Sequence, residues 1–182
     1  MQETGLKIKL FGERVLRGKA RSVKEITGYH QGLLSSMARM MYELNGVGLA
    51  APQVGVNQAI IVVDAGSGLY KLFNPKIIKK QGSQSMEEGC LSIPGVSIKV
   101  KRAKKVIVKA LDESANPLTV EAEGLLACVF QHEIDHLNGK LIVDYASLFE
   151  KLKIKKKLAG LKRKAENEKL PESERQSAKL QL

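Results

Sequence analysis

The 182-residue chain has only two cysteines, Cys90 and Cys128, and no run of eighteen apolar residues. Two cysteines are too few for a disulfide framework. A reducing compartment is therefore expected, where cysteine more often serves metal binding or catalysis. The missing apolar run excludes a membrane-spanning helix. The first ten residues lack an apolar core and carry Glu3, which does not read as a secretory signal. A cytoplasmic setting is the resulting expectation. Acidic residues are also scarce: 19 Asp and Glu stand against 30 Lys and Arg, for a net charge of +11. Such an excess points to an anionic partner only where it is clustered.

What is present suits one domain with a real core, since 43% of the residues are hydrophobic. A helix is expected from about Thr27, because Leu33, Met37, Met40, Met41 and Leu44 recur at three- and four-residue spacings. His30, near its start, reads as a surface or capping residue. Asn45-Gly46 ends that helix. Strand-like runs follow at 59–63, 69–73, 76–80, 96–100, 105–111 and 118–122, with Asn74-Pro75 breaking the second from the third. Their close spacing favours antiparallel pairing over crossovers.

Three segments depart from this pattern. The first, Gly46-Val47-Gly48-Leu49-Ala50-Ala51-Pro52-Gln53, has almost no side-chain bulk and lets backbone approach another group closely. The second, Glu88-Gly89-Cys90-Leu91-Ser92, places a cysteine in a Gly- and Pro-punctuated stretch rather than in an apolar strand. Cys128, in an apolar setting, reads as packing.

The third is Gln131-His132-Glu133-Ile134-Asp135-His136, in a helix opened by Gly124 and closed by Gly139. Two histidines four apart share one helix face and can reach one metal ion, and Glu133 can reach a water on it. A polar helix face would have the same spacing. A hydrolytic centre needs a third protein ligand and an open position. Ile142 stands where one peptidase class has its third histidine, and Glu150 opens a basic tail. Cys90 is left as the candidate.

Together the three segments resemble the signature motifs of the peptide deformylase family, in the same order, and the similarity extends over most of residues 5–150. The resemblance implies an α+β fold, mainly antiparallel strands around a central helix that carries the two histidines. It divides the chain into a catalytic part, 1–150, and a basic C-terminal helix with a disordered tail, 151–182. It implies hydrolysis of the N-formyl group from the initiator methionine of new polypeptides. Cys90, His132 and His136 match the metal ligands, and Glu133 the general acid/base. Gln53 and the Leu91 N–H match the groups that bind the carbonyl oxygen, and Gly48 a position that substrate backbone passes closely. One divalent ion is implied, Fe(II) natively, with Zn, Ni or Co able to substitute.

The formyl carbon bears only hydrogen, so a tight site built on Gly46, Gly48 and Gly89 would admit it and crowd an acetyl methyl. Val47, Leu125, Cys128 and Val129 are the expected walls for the methionine side chain. Gly89, Ile93 and Gly95 are expected to pair with an extended substrate. Arg102 is expected to pair with Glu88 and hold the Cys90 loop.

The tail from Tyr145 is expected to be helical. Residues 151–164 hold eight Lys and Arg and no acid, with Ile154, Leu158 and Leu161 in an apolar stripe. A ribosome contact is expected there. No aromatic residue lies in that stretch, so base stacking is not suggested. From Glu166 onward disorder is expected. A monomer that binds neither DNA nor a membrane completes the expectation. The competing readings are a general zinc metallopeptidase and a non-catalytic ribosome- or RNA-binding protein.

Overall fold

The computed structural model describes residues 5–168. Three α-helices and two antiparallel sheets make an α+β architecture. Helices α1 (Gly28–Glu43), α2 (Gly124–Leu137) and α3 (Leu148–Asn167) are joined by seven strands. These are β1 (Gly48–Ala50), β2 (Ile60–Val63), β3 (Tyr70–Gln81), β4 (Gln84–Glu88), β5 (Ile98–Arg102), β6 (Lys105–Leu111) and β7 (Pro117–Glu123). The larger sheet has the order β1-β2-β3-β6-β7, and β4 pairs with β5 alone.

Strand β2 explains how the helices are placed. Its four residues, Ile60-Ile61-Val62-Val63, are all buried, because successive side chains point to opposite faces and both faces are covered. Ile61 and Val63 enter a cluster with Ala127, Phe130 and Ile134 of α2. Ile60 and Val62 enter another with Leu34, Met37 and Met41 of α1. Fully burying each such side chain is worth about 1.5–3 kcal/mol. Strands β6 and β7 instead alternate: Val106, Val108 and Ala110 point inward with Val120 and Ala122, and Lys105, Lys109, Glu121 and Glu123 point to water.

The ends of α1 follow local rules. His30 is a buried cap, with Nδ1 accepting the N–H of Thr27 at 3.2 Å. At the other end Asn45, with φ 53°, takes the left-handed position, and Gly46 N–H returns to Met41 O at 2.8 Å.

Several elements differ from expectation. The strands expected at 69–73 and 76–80 are one strand, β3. Asn74 adopts φ 51° and Pro75 donates no hydrogen bond, so the pairing with β6 shifts register between Phe73 and Lys76 and then resumes. Two strands escaped the pattern. β1 is three residues of glycine, leucine and alanine, and β4 is Gln84-Ser85-Met86-Glu87-Glu88, mostly polar.

Helix α3 runs through Glu166 to Asn167, so ordered helix extends past the point where disorder was expected; residues 169–182 lie outside the described residues. It starts at Leu148, within the stretch expected to be helical from Tyr145. Its Ile154, Leu158 and Leu161 pack on a third cluster, with Leu16, Ile93, Ile98 and Val100. Ala165 is buried as well.

Candidate metal centre

Helix α2 is largely buried, and Gln131, Glu133 and His136 of the motif are among its buried residues. Gln131 fastens the helix to the β5–β6 turn: its side chain accepts from Ala103 N at 3.0 Å and donates to Ala103 O at 3.0 Å. One residue on, His132 and His136 bring their rings to 5.0 Å between centroids. The loop after β4 carries Cys90 across to them. Cys90 Sγ lies 3.2 Å from His136 Nε2, and one ligand atom from each of Cys90, His132 and His136 falls within 4.8 Å of the others.

Imidazole orientation is set by outer contacts. Glu88 Oε2 accepts a hydrogen bond from His132 Nδ1 at 3.0 Å, which leaves Nε2 as the donor atom. Arg102 holds Glu88 with a fork, Nε to Oε1 at 2.7 Å and Nη2 to Oε2 at 2.9 Å. This is the pair expected from the sequence. Burial alone would raise the Glu88 pKa, but Arg102 and His132 outweigh it and bring the carboxyl down to about 2. His136 is held well below its usual pKa by burial and then by the neighbouring charges of His132, Arg102 and Arg17, which favours the neutral ring a metal requires.

Glu133 is 3% exposed, and burial first, then the charges of Glu88 and Asp135, push its carboxyl up to about 7. Its Oε2 and His136 Nδ1 are buried polar atoms without a hydrogen-bond partner. One thiol, two imidazoles and a carboxylate with an unpaired oxygen form a donor set that fits a divalent ion and a small polar guest.

Gln53 is aimed with equal care. Its Oε1 accepts from Ala50 N at 2.8 Å, so its amide NH₂ must point the other way, toward Ser92 Oγ at 3.3 Å and Cys90 Sγ at 3.6 Å.

A cavity of about 600 Å³ opens over this centre. Gly46, Val47, Gly48, Gly89, Leu91, Gly95, Leu125, Cys128 and Val129 all line it, with Gln53, Cys90, His132 and Glu133. Cys128 is therefore a wall as well as a packed residue, and its Sγ accepts from Gln84 Nε2 at 3.2 Å.

Ile93 does not line the cavity with its side chain, which is fully buried in the third cluster, and its N–H donates to Cys90 O at 2.9 Å. Gly48 is crowded by the protein itself: a Cβ there would run into Glu133 Oε1 and come within 2.8 Å of Glu133 Cδ and Val129 Cγ1. The Gly95 carbonyl is taken by Lys157 Nζ from α3. Ile8, Leu10 and Met86 are cavity residues that the sequence reading missed. Only Met86 had a local signal, as the alternate neighbour of Glu88.

The peptidase alternatives lose their ligands. Ile142 is buried among apolar side chains. Glu150 is occupied in capping α3, accepting from Ser147 N at 2.8 Å and Ser147 Oγ at 2.7 Å.

A family model described as polypeptide deformylase matches residues 6–152. The chain belongs to the peptide deformylase family. It is 54% identical over 141 residues to a peptide deformylase of Halothermothrix orenii, covering 76% of this chain and 92% of the relative. A crystal structure of a peptide deformylase from Legionella pneumophila superposes with a TM-score of 0.82 at 41% identity, over 91% of this chain and 99% of that one. A Synechococcus elongatus peptide deformylase, solved in complex with actinonin, superposes with a TM-score of 0.81 at 41% identity, over 86% of this chain and 88% of that one. Both likenesses extend beyond the motif segments to the sheets and helices that position them.

Proposed function

We propose that this chain is a metal-dependent hydrolase that removes the N-formyl group from the N-terminal formyl-methionine of newly synthesised polypeptides and releases formate. The observation that carries the reading is the convergence of Cys90, His132 and His136 on one another, beside a cavity that Cys90 and His132 line together with Glu133 and Gln53.

Cys90, His132 and His136 would hold one divalent ion. A thiolate with two imidazoles suits Fe(II), Zn, Ni or Co, and Fe(II) is the proposed native metal. When bound, the ion supplies Lewis acidity, which can bring the pKa of a water from 15.7 to about 7 and polarise a carbonyl.

The protein's own groups do the rest. Glu133, buried and poised near neutrality, takes the proton of the attacking water and returns it to the leaving amine, a role worth about 10²–10⁴-fold. The Gln53 amide and the Leu91 N–H donate to the oxygen on which charge develops; one such donor is typically worth about 3 kcal/mol. Val47, Leu125, Cys128 and Val129 supply an apolar wall for an unbranched side chain, and Gly46 and Gly89 leave room for backbone beside it.

Helix α3 is proposed to touch the ribosome through its basic face. The protein is proposed to act as a cytoplasmic monomer.

The test is formate release from formyl-Met peptides by anaerobically purified protein of measured metal content. Stoichiometric metal with formate release is expected. Cleavage of internal peptide bonds in unformylated peptides, or no formate release by metal-loaded protein, would overturn the reading.

A further inference from the structure

Tyr145 lies outside all three motifs, just past the short 3₁₀ turn Ile142–Asp144 that follows α2. Its hydroxyl is placed between two charged partners. It donates to Asp135 Oδ2 at 2.6 Å and accepts from Arg102 Nη1 at 3.0 Å. Arg102 Nη1 also reaches the same Asp135 oxygen. The remaining guanidinium nitrogens of Arg102, a residue only 5% exposed, grip Glu88, and Glu88 in turn accepts from His132 Nδ1. A chain of hydrogen bonds therefore runs without a gap from Tyr145 to the metal-facing ring.

We infer that Tyr145, with Asp135, is a positioning residue for His132: it holds the Arg102 fork in one orientation, and so sets the tautomer and aim of the ring. The physical reason is the geometry of the fork. A guanidinium can bind a carboxylate side-on or end-on, and only an anchor on Nη1 leaves Nε and Nη2 as the pair that meets Glu88. Glu88 gripped on both oxygens is an acceptor only, so His132 Nδ1 must carry its hydrogen, and in the neutral ring the lone pair is then on Nε2. The Tyr145 ring adds a face for the same guanidinium, 4.8 Å from Arg102 Cζ to the ring centroid.

The inference rests on the proposed role of His132 as a metal ligand, and the test separates the two. Tyr145→Phe removes the hydroxyl and keeps the packed ring, so the fold is preserved. Wild-type and variant proteins are stripped of metal and reloaded with Co(II). The measurements are the dissociation rate into a chelator, the visible absorption of the loaded site and the unfolding temperature.

Direct outer partners of metal ligands are worth about 10–100-fold in affinity. Tyr145 acts one step further out, so about 3–10-fold faster Co(II) release is expected, with a shifted visible band and a nearly unchanged unfolding temperature. In a Glu88→Gln background the same substitution should add little. Release and absorption identical to wild type would overturn the inference, as would a full additive loss in the Glu88→Gln background. Failure of the wild-type protein to take up Co(II) would instead overturn the metal reading itself, and this inference with it.

Discussion

Glu133 and Gly48 occupy one space: the carboxylate of Glu133 stands where a side chain at position 48 would begin. The glycine belongs to β1 and the glutamate to α2, so the packing of a strand on a helix determines where the proposed base sits. Gly48→Ala must therefore move Glu133, or Val129 beside it, by a large fraction of an ångström. Formate release is expected to fall by about 10²-fold, and stability by about 1–3 kcal/mol through overpacking. Metal content should not change, because the atoms nearest to a Cβ at residue 48 belong to Glu133 and Val129 and not to a proposed ligand. Kinetics, urea unfolding and elemental analysis of the one variant check all three.

Glu133→Gln keeps the shape of the side chain and removes its ability to take a proton. Metal content is expected to match wild type, while kcat falls by about 10²–10⁴-fold. Near-normal turnover by this variant would mean that proton transfer runs through another group.

Asp144 predicts a pH effect on stability. Burial pushes its carboxyl up, but the Arg17 guanidinium at 2.6 Å and the Leu141 N–H at 2.9 Å outweigh this and hold it below its ordinary value of 3.8. The folded state thus favours the ionised form. Its contribution is fully present above 3.8 and is lost as pH falls through the lower folded-state value. Arg17 and Asp144 are partly exposed, so the effect is modest. Asp144→Asn is expected to lower the unfolding temperature at pH 7, and the difference from wild type should shrink as acid is added below pH 3.8.

Truncation after Glu150 tests what α3 does. From the sequence, truncation there is expected to spare activity on small substrates. The structure buries Ala165 and half-buries Ile154, Leu158 and Leu161 against the cluster that holds Ile93 and Leu16, so stability is at stake as well. Lys157 also ties α3 to the Gly95 carbonyl on the cavity rim. Losing these contacts should cost about 2–4 kcal/mol, roughly 1 kcal/mol for each half-buried side chain. A lower midpoint in urea is expected, together with weaker ribosome co-sedimentation. An unchanged midpoint would mean that α3 contributes no stability.

Much of the fold was legible where burial follows a simple period. The stripe of Leu33, Met37 and Met41 marked α1, and the alternation of Val106, Val108 and Ala110 marked β6. Strands β1 and β4 were hidden because each is held by a partner rather than by its own composition. Asn74-Pro75 does not end β3, since a strand can pass a proline by shifting register when the partner strand tolerates a bulge.

The site divides in the same way. Residue chemistry and local spacing were enough to nominate Cys90, His132, His136 and Glu133, because a thiol in a glycine-punctuated loop and two histidines four apart are local facts, whereas the role of Gln53 came from the family resemblance. Ile93 pointing inward, Gly48 bearing on Glu133, and Tyr145 closing the Arg102–Glu88–His132 chain were not local. Each joins segments 43 or 85 positions apart or turns a side chain toward a core built by distant strands. Sequence alone determined which atoms were available for the chemistry. Tertiary packing decided which of them meet, because long-range contacts depend on how separate elements stack, and no spacing along the chain records that.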